Sequence, residues 1–455
     1  MHGKMKFTRR SFIKTAGFGS LGIVGGQYPG GYAGIYSTIE VLNPYNRVPV
    51  SLIIDDSTCL VNMAHFGIPQ FAEVFPDQYK QEWRMLPREI PDSFVREFGE
   101  WCFENGVKGK YSIVPYPACT GWINRFIPGW TRKELDSSLN LVREVILPNW
   151  DIHPEMISHT RVIDIKTGKP FPYASPDYME NWEWSQTKSV DELAAYQAYA
   201  LMILKDAGLP CEGLTTPGGY GERNQDNLAL STLQAVRDVY AAEIPHYFRD
   251  LYTEKGKSVV PRVLFPADLD SNDPRCVVSI IGCTDDWFGG WDGLSAGKAD
   301  NFISEDLLSG RMVDVIESGE PAIIVCHWPG IYFNGSKTGF IILKEVKKRL
   351  DRKYDNLIWM KLSEIARYWA AKELTTVSII KKTIKMEAPF SAKGFTVGLN
   401  ASVRNPGMKT AGGELKHFER ISNMKALKNE TWYTDKAGTV LCFDLRKGIN
   451  EIFLS

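Results

Sequence analysis

The feature that most limits the fold is an alternation, from about residue 48 to 372, of short apolar runs with amphipathic segments. The run SLII ends in the pair Asp55 and Asp56. Beyond it, Phe94, Phe98, Trp101 and Cys102 recur at helical spacing, Gly106 supplies a C-terminal stop, and KYSIVPYP follows as a strand. Residues 132 to 146 read as a helix and NWDIHPEMIS (149–158) as an extended segment. Ser189 with Glu192 makes a capping box for a helix that carries Leu193, Tyr196, Ala200 and Leu204 and stops at Gly208 and Pro210, before the short strand CEGLTT. RMVDVIESG then leads into the buried strand PAIIVCH, and LIWM into a helix with Leu362, Ile365, Ala366 and Trp369 on one face. Such alternation predicts an α/β fold, a parallel sheet covered by helices as a barrel or a doubly wound sheet.

In both architectures chemistry gathers at the carboxyl ends of the strands. Polar residues recur there: Asp55 and Asp56, then His159 and Thr160, then Thr215 to Tyr220, then His327. Adjacent aspartates repel, and a cation beside them offsets that repulsion and favours ionisation of both. With seven histidines in the whole chain, two of them at strand ends alongside the aspartate pair point to a metal-assisted hydrolytic site. Amide or ester hydrolysis at neutral pH needs an activated water, which a metal supplies by lowering the water's pKa to about 7. A carboxylate then accepts the proton and an imidazole protonates the leaving group.

Beyond about residue 376 the pattern changes to short β-type runs such as GFTVGLNASV, GTVLCFDL and INEIFLS, separated by Gly, Pro and Asn. Residues 376–455 are therefore expected to form a separate, small β-sandwich, with a packing or spacing role ahead of a carbohydrate-binding one. The N-terminus reads FTRRSFIK followed by a glycine-rich, mildly apolar stretch. It resembles a twin-arginine export signal, with Arg9 and Arg10 as the pair, which implies a signal segment over 1–33, a main domain over 34–375 and a periplasmic or extracellular location. Fifty-three basic and 54 acidic residues, a net charge of −1, give no electrostatic reason to expect nucleic acid or an anionic membrane as partner. No stretch approaches the ~20 apolar residues of a membrane span. Eight scattered cysteines lack metal-finger spacing and read mostly as small core residues.

Taken in order, LIIDD, HPEMISHT, TTPGGYG, CTDDW and GEPAIIVCH resemble the motifs of the NodB-type polysaccharide deacetylases. The likeness covers about residues 48 to 372. It implies a distorted (β/α) barrel, a divalent metal with zinc as the expected ion, and removal of acetyl groups from an acetylated carbohydrate. By that resemblance Asp56 and His159 are metal ligands, Asp55 the general base and His327 the general acid, and the backbone N–H of Tyr220 is the oxyanion donor. The family's second imidazole falls at Ile163 here. Asp164 is expected to take its place, with His153 or a water as alternatives. The family's arginine falls at Thr215, with Arg161 or Arg223 as substitutes, which leaves the role of Asp286 open. Glu243 and His246 form a rival pair that would reach the site from a loop over its mouth. Tryptophans 122, 130, 182, 184, 287 and 291 are candidate stacking faces for sugar rings. Two other functions fit the same residues: a non-carbohydrate amidohydrolase acting on a small amide, and a catalytically silent carbohydrate-binding protein.

Overall fold

The computed structural model describes residues 39–409 and 413–454. The export segment over 1–33, with Arg9 and Arg10, lies outside the described residues. Two parallel sheets form the body. In the first, β2 (Val48–Asp55) sits between β11 (Ala322–His327) and β3 (Gly109–Ser112), β3 pairs in turn with β4 (Trp150–His153), and β12 (Leu357–Trp359) joins the start of β2. In the second, β7 (Gly213–Thr215), β8 (His246–Leu251) and β10 (Arg275–Gly282) run parallel, and β9 (Arg262–Ala267) closes the edge antiparallel.

The sheets meet at two seams. Beyond β4, Glu155 makes a single parallel bridge with Thr215. On the other side, the Cys283 N–H donates to the Ile323 carbonyl over 2.7 Å. The distorted barrel expected from the sequence is therefore replaced, among the described residues, by two open sheets touching at these points. At the first seam the reason is local: Pro154 follows β4 directly and has no N–H to continue the ladder.

Every residue of β2 is buried, and alternate positions serve different cores. Leu52 and Ile54 join Phe94, Phe98 and Trp328 under the outer helices, whereas Ile53 joins Ile323, Val325, Val278 and Ile280 on the inner face. The outer layer includes α1 (Met63–Val74), α2 (Asp92–Glu104), α3 (Arg132–Leu141), α4 (Val190–Asp206) and α5 (Gln225–Tyr240). The helix predicted over 132–146 is α-helical to Leu141 and ends in a π-turn, Val142–Ile146. The Ser189–Glu192 capping box is present, and Gly208 follows α4 with φ +71°. Helix α6 (Arg311–Glu317) precedes β11, α7 (Thr338–Lys353) follows it, and α8 (Leu362–Leu374) packs on β10.

Residues 376–454 contribute to two five-stranded, mostly antiparallel sheets. Their strands are not confined to the C-terminal segment, because Ile39–Val41 pairs with Ala392–Leu399. They also share one buried cluster with α8, through Trp369, Phe395 and Phe443 among others. All eight cysteines are free thiols, and all but Cys119 are buried.

Between β2 and β3 the backbones approach so closely that a Cβ on Gly109 would lie 1.8 Å from the Leu52 carbonyl oxygen. Gly109→Ala is expected to destabilise the chain by at least the roughly 1–3 kcal/mol of an overpacked core, and to disturb the register that brings Lys110 level with Ile53. Chemical denaturation with far-UV circular dichroism checks this; an unchanged midpoint would contradict the tight β2–β3 packing.

Candidate active site

Strand register places the first groups. His327 is the register partner of Asp55 across the β11–β2 pair. Lys110, fully buried on β3, donates to the Ile54 carbonyl at 3.1 Å, to Ser112 Oγ at 2.8 Å, and forms an ion pair with Asp55 Oδ1. Burial pushes the Asp55 carboxyl up, to about 6, against the pull of the Lys110 ammonium.

At Asp56 the chain turns through φ +59°, a left-handed conformation that Asp tolerates better than most residues. Its N–H donates to Glu155 Oε2 at 2.8 Å, tying the end of β2 to the end of β4. Asp56 Oδ1 is buried and has no hydrogen-bond partner, although His159 Nε2 approaches it to 2.9 Å. The same nitrogen lies 3.3 Å from Glu155 Oε1. Asp56, Glu155 and His159 thus bring two carboxylate oxygens and one imidazole nitrogen within 4.8 Å of one another, all three residues being buried. A buried carboxylate oxygen left without a donor, facing an imidazole and a second carboxylate, fits a divalent cation with mixed nitrogen and oxygen ligands. Without one, His159 offsets part of the charge: burial opposes its protonation, but Asp56 and Glu155 outweigh that and hold it well above its ordinary value. Burial likewise raises Glu155, but the His159 charge and hydrogen bonds win and bring it down to about 2.

The loop bearing His159 hangs on a second buried carboxylate. Glu180 accepts from the N–H groups of Ile157 (3.1 Å), Ser158 (3.1 Å) and His159 (2.6 Å), and from the Tyr196 hydroxyl. These donors fix a backbone in which His159 itself has φ +60°. Burial pushes Glu180 up, to about 7, and those donors oppose it.

His327 is held by Asp286, whose Oδ2 lies 3.0 Å from Nδ1 and whose Oδ1 accepts the His327 N–H at 3.3 Å. Burial opposes the charged ring, but Asp286, and then Asp56 and Asp55, raise it to about 10. One quarter of the His327 side chain stays exposed, so water softens this effect.

Other sequence-chosen residues lie elsewhere. Asp164 belongs to the hairpin formed by Ile163–Asp164 and Lys169–Pro170, where its oxygens cap the Lys166 N–H and the Thr167 hydroxyl, so its carboxylate serves a turn. Glu155, four residues before His159, stands where Asp164, five residues after it, was expected. Tyr220 is fully buried and its N–H already donates to Pro217 at 2.9 Å, which removes it as a free oxyanion donor. His246 does not overhang the site. It opens β8, fully buried, with Nε2 3.0 Å from that of His153, and Glu243 pairs with Arg367. Arg161 and Arg223 pair with Glu73 and Glu183, and the cation beside the base candidate is Lys110.

Of the six tryptophans, Trp182 and Trp291 join Phe71 and Tyr79 in a half-buried aromatic collar, with ring centroids 5.5 to 6.2 Å apart. Tyr79 lies close enough to His159 to feel its charge. Trp122 instead stacks on Tyr116, Trp184 packs on Tyr196, Trp130 donates to Glu89 and Trp287 packs on Phe302.

No family model matches the chain, and no curated protein matches it. Among solved structures, it is similar to a probable polysaccharide deacetylase from Pseudomonas aeruginosa PAO1, with 9% identity and a TM-score of 0.37 over 71% of this chain and 91% of that one. A mutant CE4 family pseudoenzyme with restored enzymatic activity gives 11% identity and a TM-score of 0.31 over 70% and 68%. A 4-alpha-glucanotransferase from Thermococcus litoralis gives 11% and 0.33 over 70% and 37%. All three scores lie below 0.5, and none of them assigns a family or an activity to the chain.

Asp286→Asn removes the carboxylate that raises His327. In the unchanged protein the extra stability from the charged ring is present below the ordinary histidine pKa and is lost as pH rises through about 10. In the variant the ring is expected to titrate nearer its ordinary value of about 6.5. Histidine ¹H–¹⁵N NMR against pH reads the shift, and a His327 midpoint unmoved by the substitution would contradict Asp286 as the cause.

Proposed function

We propose that this protein is an exported, metal-dependent hydrolase that removes acetyl groups from an acetylated carbohydrate. The observation that carries the reading is the convergence of Asp56, Glu155 and His159 beside Asp55 and an Asp286-held His327, all at strand ends. The motif resemblance from LIIDD to GEPAIIVCH and the aromatic cluster whose Tyr79 lies near His159 support the same reading. Export rests on Arg9 and Arg10 alone.

In this proposal Asp56, Glu155 and His159 hold the cation, which when bound supplies Lewis acidity and a water acidic enough to react at neutral pH. Asp55 accepts the proton of the attacking water, and the buried Lys110 keeps that carboxylate oriented. Asp286 occupies Nδ1 of His327, so Nε2 is the nitrogen left to protonate the departing amine or alcohol. Trp182 and Trp291 offer flat apolar faces to a sugar ring.

A second reading has its own observation. Protonated His159 lies against both Asp56 and Glu155, and Lys110 pairs with Asp55, so each of these carboxylates has a cation beside it without a metal, as a catalytically silent carbohydrate-binding protein would require. Elemental analysis of the unchanged chain against Asp56→Asn, both purified without chelator, separates the two, since the variant loses a cation only where the hydrolase reading holds.

Asp55→Asn is expected to reduce deacetylation of N-acetylated oligosaccharides at least ~10²-fold, the scale of a lost general base, while cation content at this centre stays unchanged. Asp56→Asn and Glu155→Gln are each expected to release that cation; equal metal loss in Asp55→Asn would contradict the division of roles. Trp182→Ala is expected to raise KM with little change in kcat, and an unchanged KM would take the collar out of substrate binding.

A further inference from the structure

Beneath the proposed centre lies another cluster that it does not use. Asp151 and His153 are two residues apart on β4 and so share a face, and His246 opens β8 in the other sheet. One donor atom from each lies within 4.8 Å of the others. Both imidazoles are fully buried, with His153 Nε2 3.0 Å from His246 Nε2. A glycine lies opposite: a Cβ on Gly213 would stand 2.7 Å from each Nε2 and 2.6 Å from the His246 carbonyl oxygen. Only the missing side chain leaves room in front of the two rings. Both Asp151 oxygens are oriented by Ser363, Oδ2 accepting from its N–H at 2.7 Å and Oδ1 from its hydroxyl at 2.9 Å, the kind of outer support that metal-binding carboxylates have.

We propose that Asp151, His153 and His246 form a second, structural divalent-cation site that clamps the seam between the two sheets. Two imidazoles and a carboxylate select a borderline ion such as zinc. Among the described residues this seam is crossed by the Glu155–Thr215 bridge, the Thr215 N–H bond to the Pro154 carbonyl and the contact of His153 Nδ1 with Thr215 Oγ1 at 3.4 Å, and an ion here would further brace β4 just before it delivers Glu155 and His159. The proposal does not depend on the hydrolase reading.

The test uses the full chain carrying Asp56→Asn with His159→Ala, which disables the upper centre. Equilibrated with zinc alone, desalted and measured by inductively coupled plasma mass spectrometry, it should keep about one zinc per chain, and its Tm should rise on zinc addition. Adding Asp151→Asn should weaken zinc binding at least ~10-fold. Adding Gly213→Ala instead, whose methyl enters the space before the rings, should abolish it. Should that background misfold, Gly213→Ala or Asp151→Asn in the otherwise unchanged chain should lower the zinc content by one per chain. No zinc and no Tm response in the folded double variant, or zinc binding indifferent to both Asp151→Asn and Gly213→Ala, would overturn the site and leave His153 and His246 as a proton-sharing pair.

Discussion

Four carboxylates, Asp55, Asp56, Glu155 and Asp286, gather at the strand ends with little access to water, and such charge persists only with cations beside it. Lys110, His159 and His327 supply those cations, each from a different strand or strand-end loop. The parallel registers of β2, β3 and β11 matter chiefly because they bring Lys110 and His327 to Asp55. Removing one partner of such a pair strands the other in a poor solvent, which makes the charge set a constraint on the fold as well as on the chemistry.

Backbone geometry carries the other half of the arrangement. Asp56 and His159 both adopt left-handed conformations and face each other across the gap between β2 and β4. Neither is held by regular ladder bonds alone: the Asp56 N–H is caught by Glu155, and the His159 N–H by Glu180. Two buried glutamates thus set the angle at which the aspartate and the imidazole meet. Strain at such positions is characteristic of ligand-holding sites, where surrounding structure over-determines the backbone.

The inner and outer faces of the sheets divide their duties by the two-residue repeat of a strand. On β2, Leu52 and Ile54 anchor the outer helices, while Ile53 and Asp55 look inward, one into apolar packing and the other toward Lys110. Helix α8 continues the inner packing into the C-terminal sheets, so the β-rich segment shares a core with the sheets that bear the site.

The sequence by itself determined the alternation of strand and helix, the capping box at Ser189 and the strand-end positions of Asp55, Asp56 and His327, because each rests on local periodicity or on short-range turn and cap chemistry. Two signals in it pointed further than the motifs did: a lysine at 110 inside a strand otherwise suited to burial, and a carboxylate at 155 four residues before His159. Only the tertiary structure decided that Glu155, rather than Asp164, faces His159, that Asp286 serves His327, that Lys110 stands beside Asp55, and that His246 turns away to meet His153. Those pairings join residues from 41 to 93 positions apart, or depend on which way a loop turns after its strand. They are fixed by strand register, by left-handed turns and by the requirement that every buried charge find a partner, none of which periodicity encodes.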